Sequence, residues 1–106
     1  MSAAAEPVPA PPAAGTPADT LARLRGEIER IDRELIGLIA ERVRMAREVG
    51  AAKRALGAPI LDPAREAAVV RRAGMLARQA GLADEDVRYL FWHLIGLARR
   101  AQMEEG

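Results

Sequence analysis

Residues 21–56 read LARLRGEIERIDRELIGLIAERVRMAREVGAAKRAL, and the spacing of their apolar side chains decides the fold. From Leu21 these side chains recur in alternating steps of three and four, through Leu24, Ile28, Ile31, Leu35 and Leu38. The next step lands on Arg42, after which Met45, Val49, Ala52 and Leu56 resume the pattern. A repeat of this kind is the buried seam of a long helix. A guanidinium keeps its proton, so burying Arg42 without an anion costs several kcal/mol or more. Arg42 therefore requires a negative partner, either a side chain or a ligand.

The helix opens at Thr16, with Pro17 at its first position and Asp19 near the exposed N–H groups; a start at Asp19 or Thr20 would change little. Gly57, Ala58 and Pro59 close it after Leu56. Gly50 falls inside, but Ala51 to Ala55 are good helix formers, so the helix continues and Gly50 permits a close backbone approach. Roughly 40 residues at 1.5 Å per residue make about 60 Å, around twice the width of a small domain. One chain of 106 residues cannot cover that seam. The economical arrangement is an intertwined homodimer with two long helices side by side.

Outward from this helix, Asp62-Pro63 is a strong N-cap and first-position pair. The second helix carries Val69, Val70, Ala73, Leu76, Ala77 and Ala80 on one face and stops at Gly81. Asp84 and Glu85 open a third, with Val87, Leu90, Phe91, Leu94, Ile95 and Ala98 apolar, ending near Met103. The expected fold is all-α, with one long and two shorter helices per chain. Residues 1–16, mostly alanine and proline, read as a disordered tail, and residues 17–106 as one helical domain. The tail lacks the basic region of a signal peptide, and no segment is long and apolar enough to span a membrane, so a cytoplasmic protein is expected.

The net charge of +1 offers no global field for nucleic acid or an acidic membrane. There is no cysteine, hence no disulfide, thiolate nucleophile or cysteine-based metal site. The single histidine, His93, cannot assemble a metal site, and with Trp92 it belongs to packing or surface. Of the sixteen basic residues only Lys53 is a lysine, a fact that residue-usage bias explains as well as function does.

Lys53 lies eleven residues after Arg42, about three turns on and nearly on the same face. Their side chains, separated by roughly 16 Å of rise, can converge on a small ligand. Glu66 shares a face with Val70, Ala73 and Ala77, and Gln102 continues the stripe of Phe91, Ile95 and Ala98. Four inward polar groups exceed what a small helical core tolerates. An internal network, with Arg42 paired to Glu66 and Gln102 capping a helix end, is one solution. A dianionic ligand balances an ammonium, a guanidinium and an amide better than one carboxylate does. Arg25 is about 26 Å from Arg42 and roughly 100° round the helix, so only an antiparallel partner helix would bring it to the same ligand. Taken alone, Arg25 suits a solvated face. Glu29/Arg33 and Arg30/Glu34 are exposed pairs, and Arg71, Arg72, Arg99 and Arg100 are expected to be solvated.

Leu24-Arg25, Ala40-Glu41-Arg42, Val49 to Lys53, Ile60 to Glu66, and Leu90-Phe91 leading to Gln102 together resemble the all-α chorismate mutases, from Leu21 to about Gln102. The resemblance implies an intertwined helical dimer that rearranges chorismate to prephenate in phenylalanine and tyrosine biosynthesis. It implies that Arg42, with Arg25 of the other subunit, grips the two carboxylates of chorismate. Lys53 and Gln102 would donate to the ether oxygen, Glu66 would hold the C4 hydroxyl with Asp62 nearby, and Arg65 would support the pocket. Ala98 stands where many members have a serine that helps bind a carboxylate, and losing one neutral hydrogen bond costs about 0.5–1.5 kcal/mol. A unimolecular rearrangement needs no metal, redox centre or cofactor. It needs a held conformer and preorganised donors.

Two sister reactions use the same scaffold: pyruvate release from isochorismate and rearrangement of 4-amino-4-deoxychorismate. Asp62 and Glu66 argue against both, because such relatives are often less acidic in this loop. A non-catalytic regulatory helical dimer is the alternative of a different class, and a buried Arg25, Arg42, Lys53, Glu66 and Gln102 constellation argues against it. A partner enzyme of the shikimate pathway is a further partner that the resemblance allows.

Overall fold

The computed structural model of the chain describes residues 15–104. It contains α1 (Pro17–Leu56), α2 (Pro63–Gln79) and α3 (Asp84–Met103). No strand occurs among the described residues. The chain is all-α with three helices, as the periodicity predicts. Most of the alanine-proline tail, residues 1–14, lies outside the described residues.

Local chemistry sets each boundary. Thr16 and Asp19 form a reciprocal cap: Asp19 N–H donates to Thr16 Oγ1 at 3.0 Å and Thr16 N–H to Asp19 Oδ2 at 3.3 Å. Pro17 occupies the position where a missing N–H does no harm. At the other end Gly57 takes φ 69°, Gly57 N–H donates to Arg54 O at 3.1 Å and Ala58 N–H to Lys53 O at 2.8 Å. That is a Schellman closure, and it satisfies two carbonyls that the helix leaves over. α2 repeats the grammar: Asp62 Oδ1 accepts from Arg65 N–H at 3.0 Å, and Gly81 at φ 77° closes the helix through Leu82 N–H to Ala77 O at 2.8 Å. Gly81→Ala would force a side chain into the left-handed region at about 1–2 kcal/mol. Its thermal midpoint should fall while ligand binding stays unchanged, because Gly81 lies away from the cleft described below.

The chain divides into two compact units within α1, residues 1–37 and residues 38–106. In the first, the described residues are helical apart from the short lead-in before Pro17. Leu21, Leu24, Ile28, Ile31 and Leu35 are all exposed there, Ile28 at 57%. On its polar side Arg30 pairs with Glu34 and Glu27, contacts worth a few tenths of a kcal/mol each. In a single chain the predicted seam is therefore uncovered.

The second unit joins the C-terminal part of α1 to α2 and α3. Val69, Val70 and Ile95 form its core cluster, with Phe91 packed against it. Ala46, Ala73, Ala77 and Ala101 are buried around it, so small residues let the helices approach. The closest approach is at Gly50, where an added Cβ would collide with the carbonyl oxygen of Gln102 and lie 2.7 Å from its Cα. α1 runs through Gly50 without a break. Arg47 Nε pairs with Glu104 at 2.9 Å and Arg54 Nη1 donates to Gln102 O at 2.8 Å, tying α1 to the end of α3. Leu76 and Leu90, expected on inward faces, remain exposed. The α2–α3 contact runs through smaller side chains, and nothing else in the described chain covers these two leucines.

Candidate active site

A cleft of about 520 Å³ opens among the three helices of the second unit. α1 contributes Arg42, Met45, Ala46, Val49 and Lys53; Asp62 precedes α2, which adds Arg65, Glu66, Val69 and Arg72; α3 adds Ile95, Ala98 and Gln102. Seven of the eight residues singled out from the sequence meet here. The eighth, Arg25, is exposed on α1 in the other unit and does not line the cleft. The walls are apolar at Met45, Val49, Val69 and Ile95, with charged and amide groups between them. Low-polarity walls of this kind strengthen whatever electrostatics the polar groups exert.

Lys53 sits one turn after Gly50 and is half-buried. Its ammonium donates to Gln102 Oε1 at 2.7 Å and to Ile60 O at 2.8 Å. An ammonium has three N–H bonds, so one remains for a ligand. Gln102 presents its oxygen to Lys53, which leaves its NH₂ as a second donor beside the first. Gln102 thus does not cap a helix end by its side chain. The two groups form a paired donor suited to one anionic or partly anionic oxygen.

Arg42 has no carboxylate within ion-pair distance among the described residues. Its Nη1 donates to Leu94 O at 3.5 Å and its guanidinium lies 6.0 Å from the centre of the Phe91 ring. Burial, and then the neighbouring charge of Arg72, hold its pKa below the ordinary arginine range. Arginine stays cationic even so, and a half-buried cation beside a second cation is an attractive place for an anion.

The internal pairing of Arg42 with Glu66 is not formed. Glu66 is engaged by Arg99, through Oε1 to Nη2 at 2.6 Å and Oε2 to Nε at 3.1 Å. Hydrogen bonding and charge from Glu66 raise the Arg99 pKa. Arg72 and Arg99 were expected to be solvated: Arg72 is exposed and also lines the open cleft, while Arg99 is partly exposed and paired with Glu66. A signal for each was present: Arg72 is seven residues after Arg65, and Arg99 three before Gln102, spacings that place each pair on one helical face. Asp62 faces the cleft while capping α2, and Arg65 extends into it from the first turn. Four cations and two carboxylates line the cleft, and one of those carboxylates is already neutralised from behind. The surplus is positive.

Fold and site together define a small all-α protein with a cation-rich cleft for a compact anion. The chain belongs to the chorismate mutase type II family, which it matches over residues 24–103. It is 38% identical over 69 residues to a chorismate mutase of Methanocaldococcus jannaschii, covering 65% of this chain and 69% of that protein. It is 40% identical over 67 residues to the T-protein of Haemophilus influenzae, covering 63% of this chain but 18% of that protein. The chain thus spans less than a fifth of the T-protein's length. Among solved structures, a conserved hypothetical protein from Pyrococcus furiosus superposes with a TM-score of 0.66 at 33% identity, covering 83% of this chain and 99% of that one.

Proposed function

We propose that this protein is a chorismate mutase, an isomerase that converts chorismate to prephenate for phenylalanine and tyrosine biosynthesis. The observation that carries this is the Lys53–Gln102 donor pair in a cleft that also holds an acid-free Arg42. In the rearrangement the ether C–O bond breaks while a C–C bond forms within one molecule, so no atom or electron enters or leaves. Negative charge grows on the ether oxygen, where the free N–H of Lys53 and the NH₂ of Gln102 would donate. Donors oriented before the reaction cost no reorganisation during it.

Arg42 grips one carboxylate of the substrate, and bidentate guanidinium pairing suits that task. Arg65 supports the pocket, Glu66 accepts from the C4 hydroxyl with Asp62 nearby, and Ala98 leaves one neutral hydrogen bond unmade. Holding the compact conformer converts a rare encounter of the two chain ends into a standing one. Family membership and the site's surplus of positive charge support this assignment.

Arg25 enters from a second copy of the chain. Support comes from the exposed stripe Leu21 to Leu35, since apolar side chains aligned along one helix face mark an interaction surface. Light scattering should return twice the chain mass, and Ile28→Asp should shift that value toward the monomer and lower turnover with it. A stable, active monomer would remove Arg25 from the site. A cytoplasmic location, with residues 17–106 as the catalytic domain, completes the proposal.

The direct test follows the loss of chorismate by its ultraviolet absorbance and identifies the product by chromatography. Prephenate is the expected product. Pyruvate from isochorismate, or turnover of 4-amino-4-deoxychorismate with chorismate untouched, would reassign the substrate.

A further inference from the structure

Arg99 stands outside the cleft lining, yet it holds the carboxylate that the cleft presents. Both oxygens of Glu66 are engaged by one guanidinium, at 2.6 and 3.1 Å. The Glu66 side chain keeps 19% of its exposure, against 38% for Arg99, so the acid is the inner member of the pair. We propose that Arg99 is a positioning residue that makes Glu66 a charge-compensated acceptor and so selects a hydroxyl over an amine on the bound substrate. This inference rests on the function proposed above.

Three consequences follow from the geometry. A fork-to-fork pair fixes the plane of the carboxylate, which a single hydrogen bond cannot do. Each carboxylate oxygen has two acceptor directions, so the pair leaves one on each side for a ligand. The positive charge behind Glu66 also cancels the repulsion that a bare carboxylate would exert on a dianionic substrate a few ångströms away. A hydroxyl needs only an acceptor and gains from this arrangement. A protonated amine gains most from an uncompensated carboxylate, and here that charge is already spent on Arg99.

Arg99 lies on α3 between Ala98 and Gln102, both of which line the cleft. One turn of helix therefore carries a donor for the reacting oxygen and the anchor for the acceptor at the far end of the substrate. Glu66, on α2, is brought to the second of these by the packing of α2 on α3. Substrate discrimination and donor placement are thus set by the same helix.

The test compares wild type with Arg99→Met, Arg99→Lys, Glu66→Gln and the Arg99→Met/Glu66→Gln double variant. Each is assayed with chorismate as substrate and 4-amino-4-deoxychorismate as competitor. Misplacing a group that orients substrate costs on the order of 100-fold, so Arg99→Met should lower kcat/KM for chorismate by about 10- to 100-fold. Arg99→Lys, which keeps charge but loses the fork, should recover part of that loss. The inhibition constant of the amine analogue, relative to the KM for chorismate, should fall in Arg99→Met. In the Glu66→Gln background, removing Arg99 should change little. A folded Arg99→Met enzyme with wild-type kcat/KM and an unchanged preference would overturn the inference, as would equal losses with and without Glu66. Should Arg99→Met not fold, Arg99→Lys decides alone: wild-type kinetics in it would overturn the role of the fork. Wild-type protein that makes no prephenate would defeat the proposed function itself, a result distinct from either.

Discussion

Lys53→Ala should lower the rate of prephenate formation by about 100- to 1,000-fold, the loss typical of removing one preorganised donor to a developing negative charge. Stability should change far less. The ammonium holds Gln102 Oε1 and Ile60 O, and a hydrogen bond from a charged group contributes about 1.5–3 kcal/mol net, less where water can take its place. Gln102 lines the open cleft and Ile60 is only partly buried, so water can replace the lost donor. The pair of readouts is therefore decisive: kcat from the absorbance assay and the midpoint of thermal unfolding, measured on the same preparation. A tenfold loss or less in kcat would reject Lys53 as the donor. A drop in the unfolding midpoint that leaves little folded protein at the assay temperature would assign Lys53 a structural role instead.

Gly50→Ala should be the most disruptive single methyl group that can be added near the site. Its Cβ meets the carbonyl oxygen and Cα of Gln102, the latter at 2.7 Å. Those are backbone atoms, so no side chain can swing aside, and α1 must separate from α3. The gain in helix propensity, about 1 kcal/mol, is opposed by an overpacking cost of about 1–3 kcal/mol. Activity should suffer more than stability. The displaced residue is Gln102 itself, and Lys53 follows Gly50 by three positions, so the donor pair opens as the helices part. A misplacement of about 1 Å can cost about 100-fold in rate. Circular dichroism should show retained helix alongside a large loss of kcat. Wild-type rate and midpoint in Gly50→Ala would mean that the helices stand further apart in solution.

Much of the fold was legible because its signals are local. Thr16-Pro17-Asp19, Gly57, Asp62-Pro63 and Gly81 act through hydrogen bonds spanning a few residues, and each helix ends where they predict. Gly50 was readable as a contact point for the same reason that it was tolerated: a helix accepts an isolated glycine at a cost of about 1 kcal/mol, and a close approach supplies a reason to keep it. The apolar repeat gave the long helix, and its length gave the case for a second copy. Arg42 announced itself by interrupting that repeat.

The partners of the polar groups were another matter. The pattern offered Glu66 only Arg42 as an internal cation, because periodicity states which face a residue occupies but not what stands opposite. The choice of Arg99 over Arg42 depends on how α2 and α3 are rotated and shifted against each other, across 33 residues of sequence. Arg72 is exposed, as expected, but its place beside the cleft was hidden on the same account, since a charged side chain on a helix reads identically whether or not a cavity lies next to it.

The sequence by itself determined the three helices, their ends, the apolar seam and which residue types gather on each face, because these follow from hydrogen bonds and spacings within one turn or a few. Tertiary structure alone decided that Lys53 meets Gln102, that Arg42 lacks an acid partner, and that Glu66 is held by Arg99. Those pairings depend on interhelical register, which is set by the packing of Val69, Val70, Ile95 and the small residues around them. Packing of that kind sums many weak contacts over distant parts of the chain, and no short stretch of sequence contains it.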